Sequence, residues 1–409
     1  MSDDSIPAAP PAGDTGTTGP RVAAARSPEI VAEPQRRPDP GTGLCLSGGG
    51  YRAMLFHAGV IWRLNELGVL HGLKRVSSVS GGSITAGMLG LRWTSLDWQT
   101  TGGRTVAADL VPQVIEKIQD LADDTIDVKS VLEGALLPGV TVSDLVGRAY
   151  RKHLFGDATL QDLPDDAKGE GPRFVINATN VQSGALWRFS RPYMADYHVG
   201  MVMNPTTSLA LAVTASSAFP PVLSPARMKL KPGEVQKSPK GGETLHMEPY
   251  TTDIYLTDGG VYDNLGLETV WKHYDTVLVS DGGGQMAAEP HPHGDWARHG
   301  LRVMDLVDNQ VRALRKRQVV GSLVAGDRKG AYWRTRSDIR DFPAQNTLPC
   351  PLERTMELAA VPTRLEAMER VLQERLINWG YAVADAAIRG WVDKTLPAPT
   401  GFPFPKSAV

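Results

Sequence analysis

Ser80 is the residue of this chain whose surroundings best suit a nucleophile. It follows the short apolar run Val76–Val79 and precedes Gly81 and Gly82. A serine on a sharp turn between a strand and a helix needs small neighbours, and the usual signature is Gly-x-Ser-x-Gly. Gly82 supplies the second glycine of that signature, and Ser78 stands where the first would be. The pattern predicts a nucleophilic hydroxyl at this turn, and a plain serine–glycine turn is the structural alternative.

Three consecutive glycines, Gly48–Gly50, lie between the apolar run Leu44–Leu46 and a long helical pattern. Glycines at the N-terminus of a helix leave backbone N–H groups bare, and the helix dipole adds partial positive charge there. Such donors suit an oxyanion hole, because they are fixed before negative charge develops on the reacting carbonyl. Arg52, in the first turn of that helix, would add positive charge or hold the loop, and a solvated arginine is the alternative.

The same glycines also fit a dinucleotide-binding loop. Gly48-x-Gly50-x-x-Ala53 follows a strand pattern and opens a helix, as that fingerprint requires. A nucleotide-binding oxidoreductase would carry an acidic residue about 20 positions further on, at the end of the next strand, to bind a ribose hydroxyl. That strand ends in Ser77 and Ser78 instead, and no Walker-type Gly-Lys-Ser/Thr follows the glycines. Acyl transfer therefore explains the glycines better than nucleotide binding does.

A serine nucleophile needs a base, and two aspartates have suitable positions. Asp258 and Asp281 each end an apolar run and precede consecutive glycines. A carboxylate in that setting could lie beside Ser80 across the strand ends and take its proton directly, although Asp-Gly is also a common turn pair. The residues themselves do not decide between the two aspartates.

Three histidines offer a conventional triad instead. The order serine, aspartate, histidine along the chain matches that of α/β-hydrolases, and the histidines in question are His291, His293 and His299. His291 and His293 flank a proline and would also suit a metal pair. Their segment is polar and contains proline and glycine, so we favour a surface loop over either role.

The bulk composition limits the classes of protein to consider. The chain has 409 residues, a net charge of −2, 42% hydrophobic residues and 22% charged residues, as in an ordinary globular protein. A general nucleic-acid binder would carry a strong basic excess, so we expect no nucleic-acid partner.

Two cysteines, one of them in a predicted buried strand, favour a reducing compartment. No apolar run approaches the roughly 18 residues of a membrane span, and the N-terminus lacks a signal-peptide pattern, so we expect a cytoplasmic protein.

Strand and helix patterns alternate along the chain. This alternation predicts an α/β fold with a mostly parallel sheet covered by helices on both faces. The expected strands beyond the two opening ones are Arg173–Ala178, Ala185–Ser190, Asp253–Leu256 and Thr276–Ser280, with a long surface loop over Pro225–Thr252. The expected helices are Ala53–Leu70, Ser83–Leu91, Val106–Asp120, Val131–Leu137, Val142–Leu154, Ser208–Ser217, Leu301–Val320 and two more within Glu353–Val392, separated near Trp379 and Gly380.

Composition divides the chain into three parts. Residues 1–40 are rich in Pro, Gly, Ala, Thr and Asp and lack apolar periodicity, which predicts a disordered N-terminal tail. Residues 41–300 contain the strand-and-helix alternation and would form the catalytic domain. Residues 301–409 are predicted to be a helical C-terminal extension packed on that domain.

Three motifs, in chain order, resemble those of the patatin-like phospholipase family, which includes the catalytic domains of cytosolic phospholipases. Ser47–Arg52 resembles the family's glycine-rich oxyanion loop, and Val79–Ser83 resembles its nucleophile turn. Asp258–Gly260, with Asn264 downstream, resembles its catalytic aspartate motif. Ala215–Pro221 is also similar to a segment that family members carry before that aspartate. The resemblance covers well over half of the chain.

The resemblance implies a three-layer α/β/α patatin-like fold and the hydrolysis of acyl esters in phospholipids or other lipids. It implies a catalytic dyad of Ser80 and Asp258 in place of a triad, which makes Asp281 a structural turn. The resemblance implies an oxyanion hole formed by Gly48, Gly49, Gly50 and Gly81. It implies supporting roles for Arg52, Gly82, Gly259 and Gly260. No metal or cofactor is expected.

Three positions depart from the family's pattern. Ser47 and Ala53 differ from the residues usual in the oxyanion loop, and Ser78 replaces the usual glycine before the nucleophile. Of the three, Ser78 matters most for the geometry, because it adds side-chain bulk to the turn.

A lipid or phospholipid substrate would be held at an interface, so we expect peripheral contact with a membrane. A basic run near a helix end could meet anionic head groups, and it comprises Arg312, Arg315, Lys316 and Arg317. Acidic residues flank this run, which favours an ordinary solvated helix face instead. A catalytically silent lipid-binding module on the same fold is the remaining alternative function.

Overall fold

A ten-stranded sheet forms the centre of the protein in a computed structural model that describes residues 37–126, 141–239 and 241–409. Two further strands, β3 and β4, form a separate hairpin. In chain order the strands are β1 (Asp39–Leu46), β2 (Arg75–Ser78), β3 (Trp98–Thr101), β4 (Arg104–Ala107), β5 (Arg173–Asn180), β6 (Leu186–Phe189), β7 (Tyr193–Asp196), β8 (Gly200–Met203), β9 (Ala226–Lys229), β10 (Asp253–Asp258), β11 (Tyr274–Asp281) and β12 (Lys329–Arg334).

The middle of the sheet is parallel, as predicted. Strands β12, β11, β1, β2 and β5 lie side by side in that order and in the same direction. Beyond β5 the sheet continues through the antiparallel strands β6, β7 and β8, of which β6 is the expected hairpin partner. Strands β9 and β10 form an antiparallel pair joined to β5, and β9 lies inside the segment predicted as a loop.

Helices cover the sheet and connect its strands. In chain order they are α1 (Gly50–Glu66), α2 (Gly81–Arg92), α3 (Glu116–Ala122), α4 (Val142–Tyr150), α5 (Leu209–Ser216), α6 (Gly260–Asp263), α7 (Glu268–Trp271), α8 (Trp296–Ala325), α9 (Leu352–Ala360) and α10 (Arg370–Ala387).

The sheet has an apolar layer on each face. In β1 the side chains of Leu44 and Leu46 join the larger core with α1, α2 and α10, whereas Cys45 points to the opposite face. That second face packs on residues of α7 and α8, among them Val270 and Val319. A parallel sheet that is apolar on both faces has to be covered on both. The predicted three-layer α/β/α arrangement is therefore confirmed.

The C-terminal helix α10 packs closely on α1, and two glycines allow this contact. A β-carbon at Gly59 would lie 1.9 Å from the Ile377 carbonyl oxygen, and one at Gly380 would lie 1.9 Å from the Phe56 carbonyl oxygen. The prediction that the helical pattern breaks near Gly380 is wrong, because this glycine serves a close backbone approach in mid-helix. The break lies earlier, between α9 and α10.

Other boundaries also differ from the predictions. The segment predicted as one helix over Val106–Asp120 begins with the end of β4 and becomes helical only from Val111, through one π-helical turn. The C-terminal part of the chain is not only helical, because β12 adds an edge strand to the sheet. Residues 1–36 of the predicted tail and the expected helix Val131–Leu137 lie outside the described residues. None of the described helices combines the length and the apolar character that crossing a bilayer requires.

Candidate active site

Ser80 lies on the sharp turn between β2 and α2, in a conformation that serine rarely adopts. Its backbone angles are φ 51° and ψ −121°, and such strain costs about 1–3 kcal/mol and clusters at functional sites. The glycines that follow have no room for a side chain. A β-carbon at Gly81 would lie 2.1 Å from the Gly50 carbonyl oxygen, and one at Gly82 would lie 2.4 Å from the Leu46 carbonyl oxygen. The turn therefore packs directly on the glycine loop.

A set of buried hydroxyl groups holds this turn. The Ser80 N–H donates to Ser216 Oγ at 2.9 Å, and Ser216 Oγ donates to the Asn177 carbonyl at 2.6 Å. Ser83 Oγ lies 3.0 Å from Ser78 Oγ and 2.9 Å from Ser216 Oγ. Ser78, which replaces the family's usual glycine before the nucleophile, is thus accommodated through its hydrogen bond with Ser83.

Asp258 and Ser80 lie at the ends of two strands that run in opposite directions beside β5. β2 ends at Ser78, opposite Ile176 of β5, and the antiparallel strand β10 ends at Asp258, opposite Ala178. The ends of the two strands therefore face each other beside one neighbouring strand. In this arrangement the Ser80 side chain lies beside the Asp258 carboxylate and lowers its pKa.

The Asp258 carboxylate is buried and electrostatically suited to accept a proton. Burial raises its pKa from 3.8 to about 6, against the opposing effects of the Gly260 N–H, the Ser80 hydroxyl and the Arg312 charge. The Gly260 N–H donates to Asp258 Oδ1 at 2.6 Å. Gly259 lets this backbone pass close to β5, because a β-carbon there would lie 2.3 Å from the Asn177 carbonyl oxygen. A carboxylate with a pKa near the working pH is suited to general-base catalysis.

The competing base candidates have other surroundings. The Asp281 carboxylate accepts hydrogen bonds from the Gly283 N–H at 2.9 Å and the Tyr332 hydroxyl at 2.7 Å, two strands away from β2. His291, His293 and His299 are exposed, whereas Ser80 and Asp258 are buried. Within the described ranges, no group of three or more potential ligands is arranged to hold a metal ion.

The glycine loop and the Ser80 turn together present three amide groups to the site, rather than the four expected. The Gly48 N–H donates to the Asn264 carbonyl at 3.0 Å, so the expectation that this amide serves the oxyanion hole is wrong. Gly49 and Gly50 have φ angles of 146° and 59°, which favour glycine. In the described part of the chain, no hydrogen-bond acceptor is found for the N–H groups of Gly49, Gly50 and Gly81. These three amides remain available for a bound anion.

Arg52 holds the loop from behind instead of lying in solvent. Its guanidinium donates to the Gly282 carbonyl at 3.1 Å and 3.3 Å, to the Val361 carbonyl at 2.6 Å and to the Ala359 carbonyl at 3.3 Å. Burial lowers the pKa of Arg52 to about 10, which leaves the side chain charged at neutral pH. The Tyr51 N–H also donates to the Arg364 carbonyl at 2.9 Å. The C-terminal part of the chain thus helps to position the glycine loop.

The chain matches the family described as patatin-like phospholipase over residues 44–271, a span that contains both Ser80 and Asp258. It belongs to this family. The resemblance to this family is therefore confirmed over residues 44–271. No curated protein sequence gives a significant match.

Solved structures similar to the chain include a human phospholipase and a bacterial protein. Human GIVD cytosolic phospholipase A2 has a TM-score of 0.47 and 13% identity, over 84% of this chain and 58% of that one. Its complex with methyl gamma-linolenyl fluorophosphonate has a TM-score of 0.48 and 15% identity, over 84% and 57% of the two chains. VipD from Legionella pneumophila has a TM-score of 0.31 and 18% identity, over 78% and 67%. The chain thus spans less than two thirds of the cytosolic phospholipase.

The sequence does not identify the residues that position the site. The segment Ala215–Pro221 resembles the family's, but nothing in the sequence gives Ser216 a role. Asn264 belongs to the aspartate motif, and only the structure shows that its carbonyl oxygen fixes the Gly48 amide. Hydrogen bonds of this kind join residues far apart in the chain, and a single sequence carries no pattern that reports them.

Proposed function

We propose that the protein hydrolyses acyl esters of lipids, as a phospholipase A or lysophospholipase, with Ser80 as nucleophile and Asp258 as general base. The observation that carries this proposal is the Ser80 side chain beside the buried Asp258 carboxylate, together with three amides of the glycine loop and turn that have no acceptor among the described residues. Membership of the patatin-like phospholipase family supports the lipid substrate class.

The proposed reaction has two steps. Asp258 takes the hydroxyl proton of Ser80 as Oγ attacks the acyl carbonyl, and the oxyanion receives hydrogen bonds from the amides of Gly49, Gly50 and Gly81. The tetrahedral intermediate collapses to an acyl-serine, and Asp258 returns the proton to the departing alcohol. Asp258 then takes a proton from water as it attacks the acyl-serine, and a fatty acid leaves as Ser80 regains its proton.

Product analysis tests this reaction. Mass spectrometry of a mixed lipid extract incubated with the wild type should show free fatty acid and a matching deacylated lipid. Ser80→Ala and Asp258→Asn should lower the rate by at least about 10³-fold, as for other residues that act as one catalytic unit. Asp281→Asn is the matched control and should stay within a few-fold of the wild type. Equal rates for all four proteins would exclude the dyad, and binding without turnover by the wild type would favour a silent module.

We also propose that helix α8 contacts the lipid surface from which the substrate comes. Only Val319 of its 30 residues is buried. Trp296, Val303, Val307 and Leu314 recur at intervals of seven, four and seven, which places them on one side of the helix. These four side chains are 90%, 45%, 56% and 60% exposed, respectively.

The position of α8 supports a lipid as the occupant of this apolar side. Arg312 of α8 donates to the Gly284 carbonyl at 3.1 Å, and α8 packs on α6, which begins two residues after Asp258, so the helix runs near the dyad. The basic run is largely engaged within the protein: Arg312 pairs with Asp308, Arg315 pairs with Glu268, and Lys316 lies over the Tyr332 ring. We therefore propose apolar contact of α8 with the lipid and no attraction between the basic run and anionic head groups.

Vesicle sedimentation tests this contact. Leu314→Asp and Val307→Asp should each weaken binding to neutral phosphatidylcholine vesicles several-fold, and added phosphatidylserine should change wild-type binding little. Val324→Asp is the matched control, because Val324 is 84% exposed on the same helix but outside the apolar spacing. Equal loss in all three variants would contradict the proposal. A dimer that Leu314→Asp dissociates would instead assign this side to a second copy of the chain.

A further inference from the structure

His57 is a fully buried histidine that the proposed reaction does not use. It lies on α1, in the second turn after the glycine loop, and its side chain has no contact with solvent. Its ring bridges the Ser280 side chain and the Ser47 backbone at the carboxyl edge of the sheet. Nδ1 lies 2.8 Å from Ser280 Oγ, and Nε2 lies 3.0 Å from the Ser47 carbonyl oxygen.

The partners of the ring determine its tautomer. A carbonyl oxygen can only accept a hydrogen bond, so Nε2 carries the proton and donates to Ser47. In the neutral ring Nδ1 then accepts from the Ser280 hydroxyl. Burial lowers the pKa of His57 to about 4, and the ring is therefore neutral at any pH at which Asp258 is ionised.

The peptide bond that receives this hydrogen bond is the one immediately before the proposed oxyanion donors. Its carbonyl oxygen, from Ser47, accepts from His57, and its N–H, from Gly48, donates to the Asn264 carbonyl at 3.0 Å. The peptide plane is thus held at both ends. The Ser47 side chain adds a further restraint, since Oγ accepts from the Gly282 N–H at 2.7 Å and donates to the Gly48 carbonyl at 3.1 Å.

We propose that His57 is a positioning residue for the oxyanion loop. Through the chain Ser280–His57–Ser47, it fixes the orientation of the peptide plane between Ser47 and Gly48, and with it the direction of the Gly49 and Gly50 amides. A misaligned donor loses most of its value, because oxyanion stabilisation depends on donors that are fixed before charge develops. The catalytic part of this inference rests on the proposed function, whereas the positioning part concerns the loop alone.

Hydrogen exchange tests the positioning part independently of any activity. In His57→Leu, amide exchange in the peptide around Gly48–Tyr51 should be at least about tenfold faster than in the wild type, because the loop opens more often. Asn65→Ala is the matched control. Asn65 is equally buried on the same helix and bonds the Ala107 backbone at its far end. Unchanged exchange of the loop in His57→Leu, or equal acceleration in Asn65→Ala, would overturn the proposal.

Kinetics test the catalytic part of the proposal. The test applies if the wild type hydrolyses lipid esters and the Ser80→Ala variant does not. His57→Leu should lower kcat roughly 10- to 100-fold with little change in KM. This loss is smaller than that expected when an oxyanion donor is removed completely. The affinity for an acyl trifluoromethyl ketone, whose adduct with serine carries the oxyanion, should fall by the same factor as kcat/KM. His57→Gln keeps an N–H at the ε position and should recover most of the rate.

A double mutant distinguishes the chain of hydrogen bonds from general stability. Ser280→Ala should lower kcat in the wild type and cost nothing further in the His57→Leu protein, because both act through the same peptide plane. It also serves as a milder variant if His57→Leu folds poorly. Additive effects of Ser280→Ala and His57→Leu on kcat would overturn the proposal. So would a lowered Tm in variants that keep the wild-type kcat and the wild-type affinity for the ketone, because the role of His57 would then be merely structural. A wild type without hydrolytic activity would instead count against the proposed function.

Discussion

At the scale of single residues, the site combines a strained serine with a carboxylate that burial keeps difficult to ionise. Ser80 has a positive φ angle, and burial raises the pKa of Asp258 to about 6. Both features oppose folding, and neither is needed to build the sheet. Such costs are retained where they serve function, because the strain directs the hydroxyl and the raised pKa suits a base.

The cost of the ionised Asp258 can be measured as a pH-dependent stability. The folded state holds the proton more tightly than the unfolded state, whose pKa is near 3.8. The contribution of this group is therefore favourable at low pH and is lost as pH rises through about 6. Ionisation costs roughly 3 kcal/mol at pH 8. Asp258→Asn should accordingly raise the free energy of unfolding by about 2–3 kcal/mol at pH 8 and by much less near pH 4.

Urea unfolding at the two pH values measures this difference. An equal gain from Asp258→Asn at both pH values would contradict a raised pKa at this position.

The residues that do the proposed chemistry could be predicted from the sequence, whereas those that hold them could not. Ser80 stands out because it lies at the end of an apolar run and next to glycines, whereas Asp258 shares that setting with Asp281 and is distinguished only by its resemblance to the family's motif. Ser216 and His57 carry no such signal, because their partners are distant in the chain and their contacts follow from tertiary packing. The Gly48 amide was assigned a wrong role for the same reason, since its acceptor belongs to Asn264.

At the scale of elements, the site depends on strands that meet end to end. The alternation of apolar runs and helices predicts the parallel centre of the sheet, including β1, β2 and β11. It does not predict that β10 is antiparallel, because strand direction depends on connections and partners that local pattern does not contain. The antiparallel direction is what brings Asp258 to the end of β2.

The close contact between α1 and α10 gives a prediction for glycine. Gly380→Ala should lower the free energy of unfolding by about 1–3 kcal/mol or more, because the new methyl group would overlap the Phe56 carbonyl and separate the helices. Gly321→Ala is the matched control, since nothing lies within 4 Å of a β-carbon there on the exposed helix α8. It should stabilise by about 0.5–1 kcal/mol through backbone entropy. Thermal unfolding of both variants measures the contrast, and a similar effect at both positions would contradict the close approach.

At the scale of the whole molecule, we propose that residues 301–409 are part of the catalytic unit rather than an accessory. Strand β12 extends the sheet, α10 covers α1, and the backbone at Val361 and Arg364 bonds Arg52 and Tyr51 behind the glycine loop. A boundary near residue 300 follows from composition, which reports a change of pattern but not the contacts that cross it.

Truncation tests this organisation. A chain that ends at residue 300 would expose the apolar side of α1 and lose the acceptors of Arg52, so it should lack cooperative thermal unfolding and aggregate. A soluble truncated protein that unfolds cooperatively and reacts at Ser80 would contradict the proposal.

Covalent labelling of Ser80 tests the central claim most directly. A fluorophosphonate with an acyl-like chain should label the wild type once per molecule, at Ser80. Intact-protein mass spectrometry measures the number of labels, and peptide mass spectrometry identifies the labelled residue. Labelling should be absent in Ser80→Ala, slowed at least about 10³-fold in Asp258→Asn and near the wild-type rate in Asp281→Asn. Labelling at another residue, or an Asp258→Asn protein that reacts as fast as the wild type, would contradict a Ser80–Asp258 dyad.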